Sequence, residues 1–363
     1  MDYLDFFGLA QEPFSMAPVS RFYFNSAQHS RALVRLMYAV DTMKGLAVLI
    51  GDIGTGKTTL ARRMLDSLPE EEYESALLVI IHSGITADWL LERIALQLGV
   101  KNPERDKLKL LSQLYKRLVE LHNAGKKAVV LIDEAQMLKS KEIMEEFRGL
   151  LNLEMPERKL ITFVFFGLPE IEENLALDQP LAQRVALKYT LEPFNEESTR
   201  GYIQHRLRLA GSHKEIFDEQ ATQLIHRYSR GIPRLINTIC DNALFEGYLL
   251  KQSKINLSLV ATVVRDLGLS DNEQEVQDIE CFPGAVSKEK TFQAGAGKAP
   301  PPKSTRPASQ ATANNDVEKV INQFDKIVIE EHKSTSTQQA QAKKTVQDDE
   351  VDIDSLLDDL EEK

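Results

Sequence analysis

Hydrophobic positions in the first half of the chain follow two patterns. Short, nearly unbroken apolar runs occur at Leu46–Ile50, Ala76–Ile81, Ala128–Ile132 and Leu160–Phe166. Runs without polar interruption suit strands covered on both faces, as in a parallel sheet flanked by helices. Between them the spacing becomes helical. Trp89–Leu98 sets Leu90, Leu91, Ile94, Ala95 and Leu98 on one side, and Lys107–His122 repeats Leu108, Leu111, Leu114, Tyr115, Leu118 and Leu121 in register. This alternation over residues 1–190 predicts an α/β layer fold. Residues 191–270 carry no obvious strand. Glu196–Leu209, Asp218–Ser229 and Ile232–Leu250 all have helical spacing, the last through Leu235, Ile236, Ile239, Cys240, Ala243 and Leu244. They predict a small all-α domain.

From about Asp271 the periodicity collapses. Ala294–Asn315 is built from small, polar and proline residues and cannot bury enough surface to offset the entropy of ordering. The tail, 271–363, is expected to be largely disordered, with short helical motifs at 316–332 and 348–360. It also changes the reading of charge. The 363-residue chain has a net charge of −11, and the tail alone holds 20 acidic against 11 basic side chains. The folded part is therefore nearly neutral, without the general cationic field of a nucleic-acid coat. No apolar run approaches the roughly 18 residues of a membrane span, and the acidic start Met1-Asp2-Tyr3-Leu4-Asp5 has no basic n-region, which points to a cytoplasmic protein. Cys240 and Cys281 are too few and too separated for a disulfide framework or a zinc site.

Candidate chemistry begins at Gly51-Asp52-Ile53-Gly54-Thr55-Gly56-Lys57-Thr58, which fits G-x-x-x-x-G-K-[ST] at every fixed position and sits between the run Leu46–Ile50 and a helical stretch, Thr58–Leu68. Glycines let successive main-chain N–H groups face one point at a helix N-terminus, which is a phosphate cradle. Lys57 is placed to reach the β- and γ-phosphates of ATP, and the Thr58 hydroxyl to ligate Mg²⁺. Downstream, Ala128–Ile132 ends in Asp133-Glu134, two carboxylates at the C-terminal edge of a strand, where open α/β sheets bind ligands. Asp133 is the candidate Mg²⁺ holder and Glu134 the candidate base for the attacking water.

Together with further blocks, these residues resemble the AAA+ ATPases of the general-secretion A-protein type, closest to the branch serving mannose-sensitive haemagglutinin pilus biogenesis. The blocks are Tyr3-Leu4-Asp5-Phe6-Phe7-Gly8-Leu9 with Glu12-Pro13-Phe14, then Arg21-Phe22-Tyr23-Phe24, His29, Gly51–Thr59, Leu131-Ile132-Asp133-Glu134-Ala135-Gln136, Gln183-Arg184-Val185 and Gly231-Ile232-Pro233-Arg234. The resemblance covers about residues 1–265. It implies a P-loop AAA+ module (1–190, with an aromatic N-terminal segment 1–30), a helical lid (191–270) and a homo-oligomeric ring or partial ring with nucleotide at subunit interfaces. It extends the ATP-binding set to Gly51, Asp52, Ile53, Gly54, Thr55, Gly56, Lys57, Thr58, Thr59 and Arg234. Arg184 matches the family's arginine finger, acting on a neighbour's γ-phosphate, and Arg234 matches sensor 2, acting on its own subunit's phosphates.

The chain departs from the family after Leu160–Phe166. A glutamine common at the sensor-1 position is replaced by Leu168 in Gly167-Leu168-Pro169-Glu170. Either a nearby polar group such as Thr162 substitutes, or turnover is slow. The leading expectation is an ATPase that assembles or remodels a type IV pilus or type II secretion-like machine, with pilus or secretion-system proteins as partners. A slow, nucleotide-gated scaffold and a DNA-associated ATP switch like the transposition regulators are the alternatives. The second of these would use Lys101–Lys127, with eight bases against three acids. The terminal Val351–Leu360 looks like acidic-leucine peptides that dock on receiver domains, although a solvated tail is the simpler reading.

Overall fold

The structure is a computed structural model that describes residues 2–16, 22–155 and 158–269. The expectations for the tail 271–363, and for Arg21, lie outside the described residues. The elements in chain order are α1 (Tyr3–Phe7), α2 (Ala27–Asp41), β1 (Leu46–Gly51), α3 (Lys57–Asp66), β2 (Tyr73–Val79), α4 (Ala87–Gln97), α5 (Lys107–Asn123) and β3 (Lys127–Asp133). After a 3-10 turn (Ala135–Met137) come α6 (Lys141–Leu150), the two-residue pair β4 (Glu154–Met155) and β5 (Arg158–Lys159), and β6 (Ile161–Gly167). Then follow α7 (Ile171–Ala176), α8 (Gln179–Ala182), β7 (Val185–Leu191), α9 (Glu196–Leu209), α10 (Glu219–Ser229), α11 (Pro233–Leu249) and α12 (Leu257–Asp266).

Five strands form one all-parallel sheet in the order β2-β3-β6-β1-β7. Alternate residues of each central strand enter opposite cores. Leu46, Val48, Val130, Ile132, Phe163 and Phe165 pack with α4, α5 and α6 on one face. Ala47, Leu49, Val129, Leu131, Val164 and Phe166 pack with α2 and α3 on the other. Both side-chain sets are buried, so these strands read as unbroken apolar runs. Edge strands differ. β7 alternates half-buried Val185, Leu187 and Tyr189 with exposed Ala186, Lys188 and Thr190, and the apolar-run pattern did not predict it. β2 begins at Tyr73 and ends at Val79, so the predicted run Ala76–Ile81 is displaced toward the C-terminus.

The third core is helical, from α9 to α12, and it also takes in Phe7, Leu9 and Phe14. Most of the aromatic N-terminal segment therefore packs with the helical region, because its rings meet rings there: Phe14 lies edge-on to Phe217 at 6.1 Å and Phe24 edge-on to Phe194 at 5.7 Å, while Tyr23 packs against the core shared by the sheet, α2 and α3. After β7 ends at Leu191, the only regular elements in 192–269 are helices, apart from an isolated bridge, Phe217 to Ile255.

The topology positions the site. β6 lies between β1 and β3, with Ile50 opposite Gly167 and Ile132 opposite Phe165. The loop after β1 and the carboxylates after β3 thus face each other across the end of β6, roughly 10 Å apart at two strand spacings.

Candidate functional site

The loop after β1 is shaped by its glycines. Gly54 and Gly56 have φ of 81° and 102°, a region that side chains other than glycine's rarely adopt. Gly56 is the N-cap residue of α3 and supplies no side chain to cap it, so the helix's first N–H groups open into the cleft beside Lys57, Thr58 and Thr59. Thr55 is buried and closes the loop through its hydroxyl to the Asp52 carbonyl at 2.9 Å. Asp52 and Ile53 are exposed at the loop's rim, and Gly51 ends the strand. The buried Lys57 ammonium donates to the carbonyls of Gly51 and Asp52, both at 2.9 Å. Burial pulls its pKa down, against the carboxylates of Glu134, Asp133, Asp52 and Glu170, which favour the charged form.

β3 delivers Asp133 to the same edge. Its Oδ1 accepts the Glu134 N–H at 3.0 Å, while its buried Oδ2 has no hydrogen-bond partner. Burial pushes this carboxyl above its usual range; the Thr58 hydroxyl and the Glu134 N–H oppose that. An orphaned buried carboxylate oxygen beside a threonine hydroxyl is a donor set that fits Mg²⁺. Among the described residues no cluster of three or more His, Cys, Asp or Glu surrounds it. A cation held by Asp133 and Thr58 would therefore complete its shell from phosphate and water. Glu134 follows in a left-handed conformation, φ 55° and ψ 36°, which costs a non-glycine residue roughly 1–2 kcal/mol. Its Oε2 accepts from the Gln136 side-chain amide at 2.6 Å.

The helical region closes the other side. In Gly231-Ile232-Pro233-Arg234, Pro233 opens α11 and places Arg234 in its first turn, exposed into the cleft. The contact with the loop is tight: a Cβ on Gly54 would lie 2.8 Å from the Arg234 Cβ. The resulting cleft of about 500 Å³ brings together Gly54, Thr55, Gly56, Lys57, Thr58, Thr59, Glu134 and Arg234, and Leu168 lines it as well.

Arg184 is not part of this cleft. It immediately precedes β7, whose Val185 pairs with Leu46 while Leu191 pairs with Gly51, so it stands at the opposite edge of the sheet. Its Nη1 donates to Asn152 Oδ1 at 2.6 Å and to the Arg148 carbonyl at 3.2 Å. Thr162 cannot replace a sensor-1 side chain. It lies early in β6, opposite Val129, is fully buried, and its hydroxyl faces the Met43 sulfur at 3.6 Å.

Three contributors escaped the sequence reading. His29 was matched as a family residue without a role; its Nε2–H donates to the Thr55 carbonyl at 3.3 Å, and its Nδ1 accepts from the Ser26 hydroxyl at 2.7 Å. Burial pushes its pKa down to about 4, so the ring supports the loop as a neutral group. Arg206, a charged residue at a core position of α9, donates to the carbonyls of Pro13 at 2.5 Å and Ser15 at 2.8 Å. It also stacks 4.5 Å from the Phe22 ring, tying the N-terminal segment to the cleft wall. Gln136 is the third. Of the eight bases in Lys101–Lys127, Lys107, Arg117, Lys126 and Lys127 pair with Glu146, Glu74, Glu74 and Asp41, which leaves a much weaker cationic surface than the sequence suggests.

Residues 40–175 match the family described as AAA domain. The general secretion pathway protein A of Aeromonas hydrophila is 38% identical over 275 residues, which is 73% of this chain and 50% of that protein. Residues 40–175 of this chain are an AAA domain, and the chain is related to the AAA proteins of the general-secretion A type. It spans half the length of that relative. Among solved structures, the Aeropyrum pernix ORC2 protein in its ADPNP–ADP complexes aligns with a TM-score of 0.54 at 17% identity, over 70% of this chain and 71% of that one. Drosophila ORC bound to DNA gives a TM-score of 0.54 at 19% identity, over 76% and 69%. At such identities the likeness concerns the fold alone. Among the described residues no helix is long and apolar enough to cross a membrane.

Proposed function

We propose that this chain binds ATP with Mg²⁺ in the cleft between the sheet edge and the helical region, and hydrolyses it to ADP and phosphate. The observation that carries the reading is the convergence of Lys57, Thr58, Glu134 and Arg234 on one cavity, with the unpartnered Asp133 Oδ2 buried beside Thr58. The loop's N–H groups and Lys57 grip the β- and γ-phosphates, the ammonium exchanging its carbonyl partners for phosphate oxygens. Asp133 and Thr58 hold the cation, which supplies charge neutralisation to the phosphates when bound. Glu134 aligns the attacking water and accepts its proton; Arg234 carries a permanent positive charge to the same phosphates from the helical side. Phosphoryl transfer asks for positioning and charge, and these side chains provide both.

The cellular role follows from kinship with the general-secretion A protein. We assign the chain as an assembly or remodelling ATPase of a type IV, MSHA-like pilus or a type II secretion-like machine, working as a homo-oligomer with pilus or secretion-system proteins. The pairing of half the Lys101–Lys127 bases with carboxylates weighs against the DNA-associated alternative. Steady-state ATPase assays on the wild type and Glu134→Gln test the chemistry. A fall of about 10²–10⁴-fold in turnover with nucleotide affinity retained is expected for removal of a general base. A wild type no faster than Glu134→Gln leaves a nucleotide-gated scaffold.

A further inference from the structure

Leucine at position 168 removes the polar side chain from the end of β6, yet the end of β6 is still connected to Glu134. The connection runs through Gln136. Its Nε2 donates to Glu134 Oε2 at 2.6 Å, and its Oε1 accepts the main-chain N–H of Leu168 at 3.1 Å. The residue itself is pinned: it is buried in the 3-10 turn, and its main-chain carbonyl accepts from Asn174 Nδ2 on α7 at 2.8 Å. Gly167 leaves room for the amide, since a Cβ there would lie 3.2 Å from Gln136 Oε1. Three elements, the turn after β3, the end of β6 and α7, thus meet on one side chain.

The geometry points to Gln136 as the positioning residue for Glu134, its amide linking the carboxylate to the main chain at Leu168. The inference rests on the reading of Glu134 as the base. With Oε2 occupied by the amide, Oε1 has no protein partner among the described residues and is the oxygen left for water. The carboxylate sits on a backbone in the left-handed region, where rotation of the peptide would swing it widely, so a second anchor is needed to fix its direction. The sensing of the β6 end is moved from a side chain to a main-chain N–H, which a leucine supplies as well as any residue. The hydrophobic side chain at 168 therefore does not disconnect the strand from the base.

The test is a split between turnover and binding. Gln136→Met keeps the length and removes both polar ends; Gln136→Asn keeps the amide but is one carbon too short to span Glu134 and Leu168. Both are expected to lower kcat about a hundredfold, the cost of a base misplaced by an ångström, with the Kd for MgATP changed less than about twofold. On the Glu134→Gln background, adding Gln136→Met is expected to change the residual rate by less than about twofold, because the group being positioned is gone. Normal kcat in Gln136→Met overturns the inference alone. Loss of nucleotide binding in step with turnover in both variants makes Gln136 a structural residue and also overturns it. A wild type no faster than Glu134→Gln overturns the inference and the ATPase reading together.

Discussion

Asp133 is held in tension by its surroundings: a buried carboxylate with Oδ1 satisfied by the Glu134 N–H and Oδ2 without a hydrogen-bond partner, its charge supported only by the nearby Thr58 hydroxyl and Lys57. An unpartnered buried charge destabilises the nucleotide-free protein, and the site accepts that because the group is needed for a cation. Asp133→Asn removes the charge and keeps an acceptor for the Glu134 N–H. We expect it to stabilise the nucleotide-free protein by about 1 kcal/mol in thermal melts while abolishing Mg²⁺-dependent turnover. An unchanged or lower melting temperature would contradict the tension. His29 makes a second prediction, with the sign set by its pKa of about 4. The unfolded chain takes up this proton near pH 6.5 and the folded chain does not until about pH 4. Stability from the neutral ring is therefore complete above pH 6.5 and declines as pH falls through that window, by about 2 kcal/mol between pH 7 and 5. His29→Gln keeps an N–H to offer the Thr55 carbonyl but cannot titrate. Its loss of stability over this pH range should be smaller than that of the wild type by that amount, measured by denaturant unfolding at each pH.

At the scale of elements, the joint between the β7–α9 connection and the start of α11 rests on Gly231. Its φ is 72°, its carbonyl accepts the Phe194 N–H at 2.8 Å, and a Cβ there would lie 1.9 Å from the Phe194 carbonyl oxygen. Gly231→Ala cannot be absorbed by a side-chain rotation because the clash is with backbone. It is expected to cost more than about 2 kcal/mol and to weaken MgATP binding together with stability, unlike the Gln136 variants. The parts of this joint differ in how far they could be read beforehand. The central strands were visible because burial on both faces makes them solidly apolar, and α9 was placed at its observed ends, Glu196–Leu209. β7 was missed although Val185, Leu187, Tyr189 and Leu191 alternate with Ala186, Lys188 and Thr190; a search for unbroken runs passes over an edge strand with one covered face. The loop, Asp133-Glu134 and Arg234 were legible as motifs; Ile53–Thr59, Glu134 and Arg234 line the cleft, with Asp133 buried beside Thr58. Gln136 was legible only as a letter in one. Its contacts to Leu168 and Asn174 span 32 and 38 residues of sequence, and no local spacing encodes them. Arg206 left a visible mark, a cation at a core position, but its partners are main-chain carbonyls, which carry no side-chain signature.

For the whole molecule the placement of Arg184 is decisive. β7 separates it from the loop by seven residues of strand, roughly 23 Å, and Asn152 with the Arg148 carbonyl holds its guanidinium at the far end of the sheet. No rotation of one side chain covers that distance, so any phosphate it touches belongs to another copy of the chain. A head-to-tail arrangement, in which this edge of one subunit covers the cleft of the next, meets the requirement; a two-fold dimer pairing like edges does not. Arg184→Ala should then bind MgATP normally and lose turnover by about a thousandfold, the scale of an arginine supplied in trans. The decisive measurement is a mixture. Glu134→Gln subunits are dead in their own cleft but still present Arg184, and Arg184→Ala subunits have an intact cleft but nothing to offer a neighbour. Mixed in equal amounts at random, half the clefts keep Glu134 and half of those face an intact Arg184, so turnover should recover to roughly a quarter of the wild-type rate per subunit. An arginine that acts within its own chain, or not at all, gives only the average of two inactive proteins. Recovery should also rise with total concentration as subunits assemble, and a concentration-independent rate in the wild type would show that a single copy is sufficient.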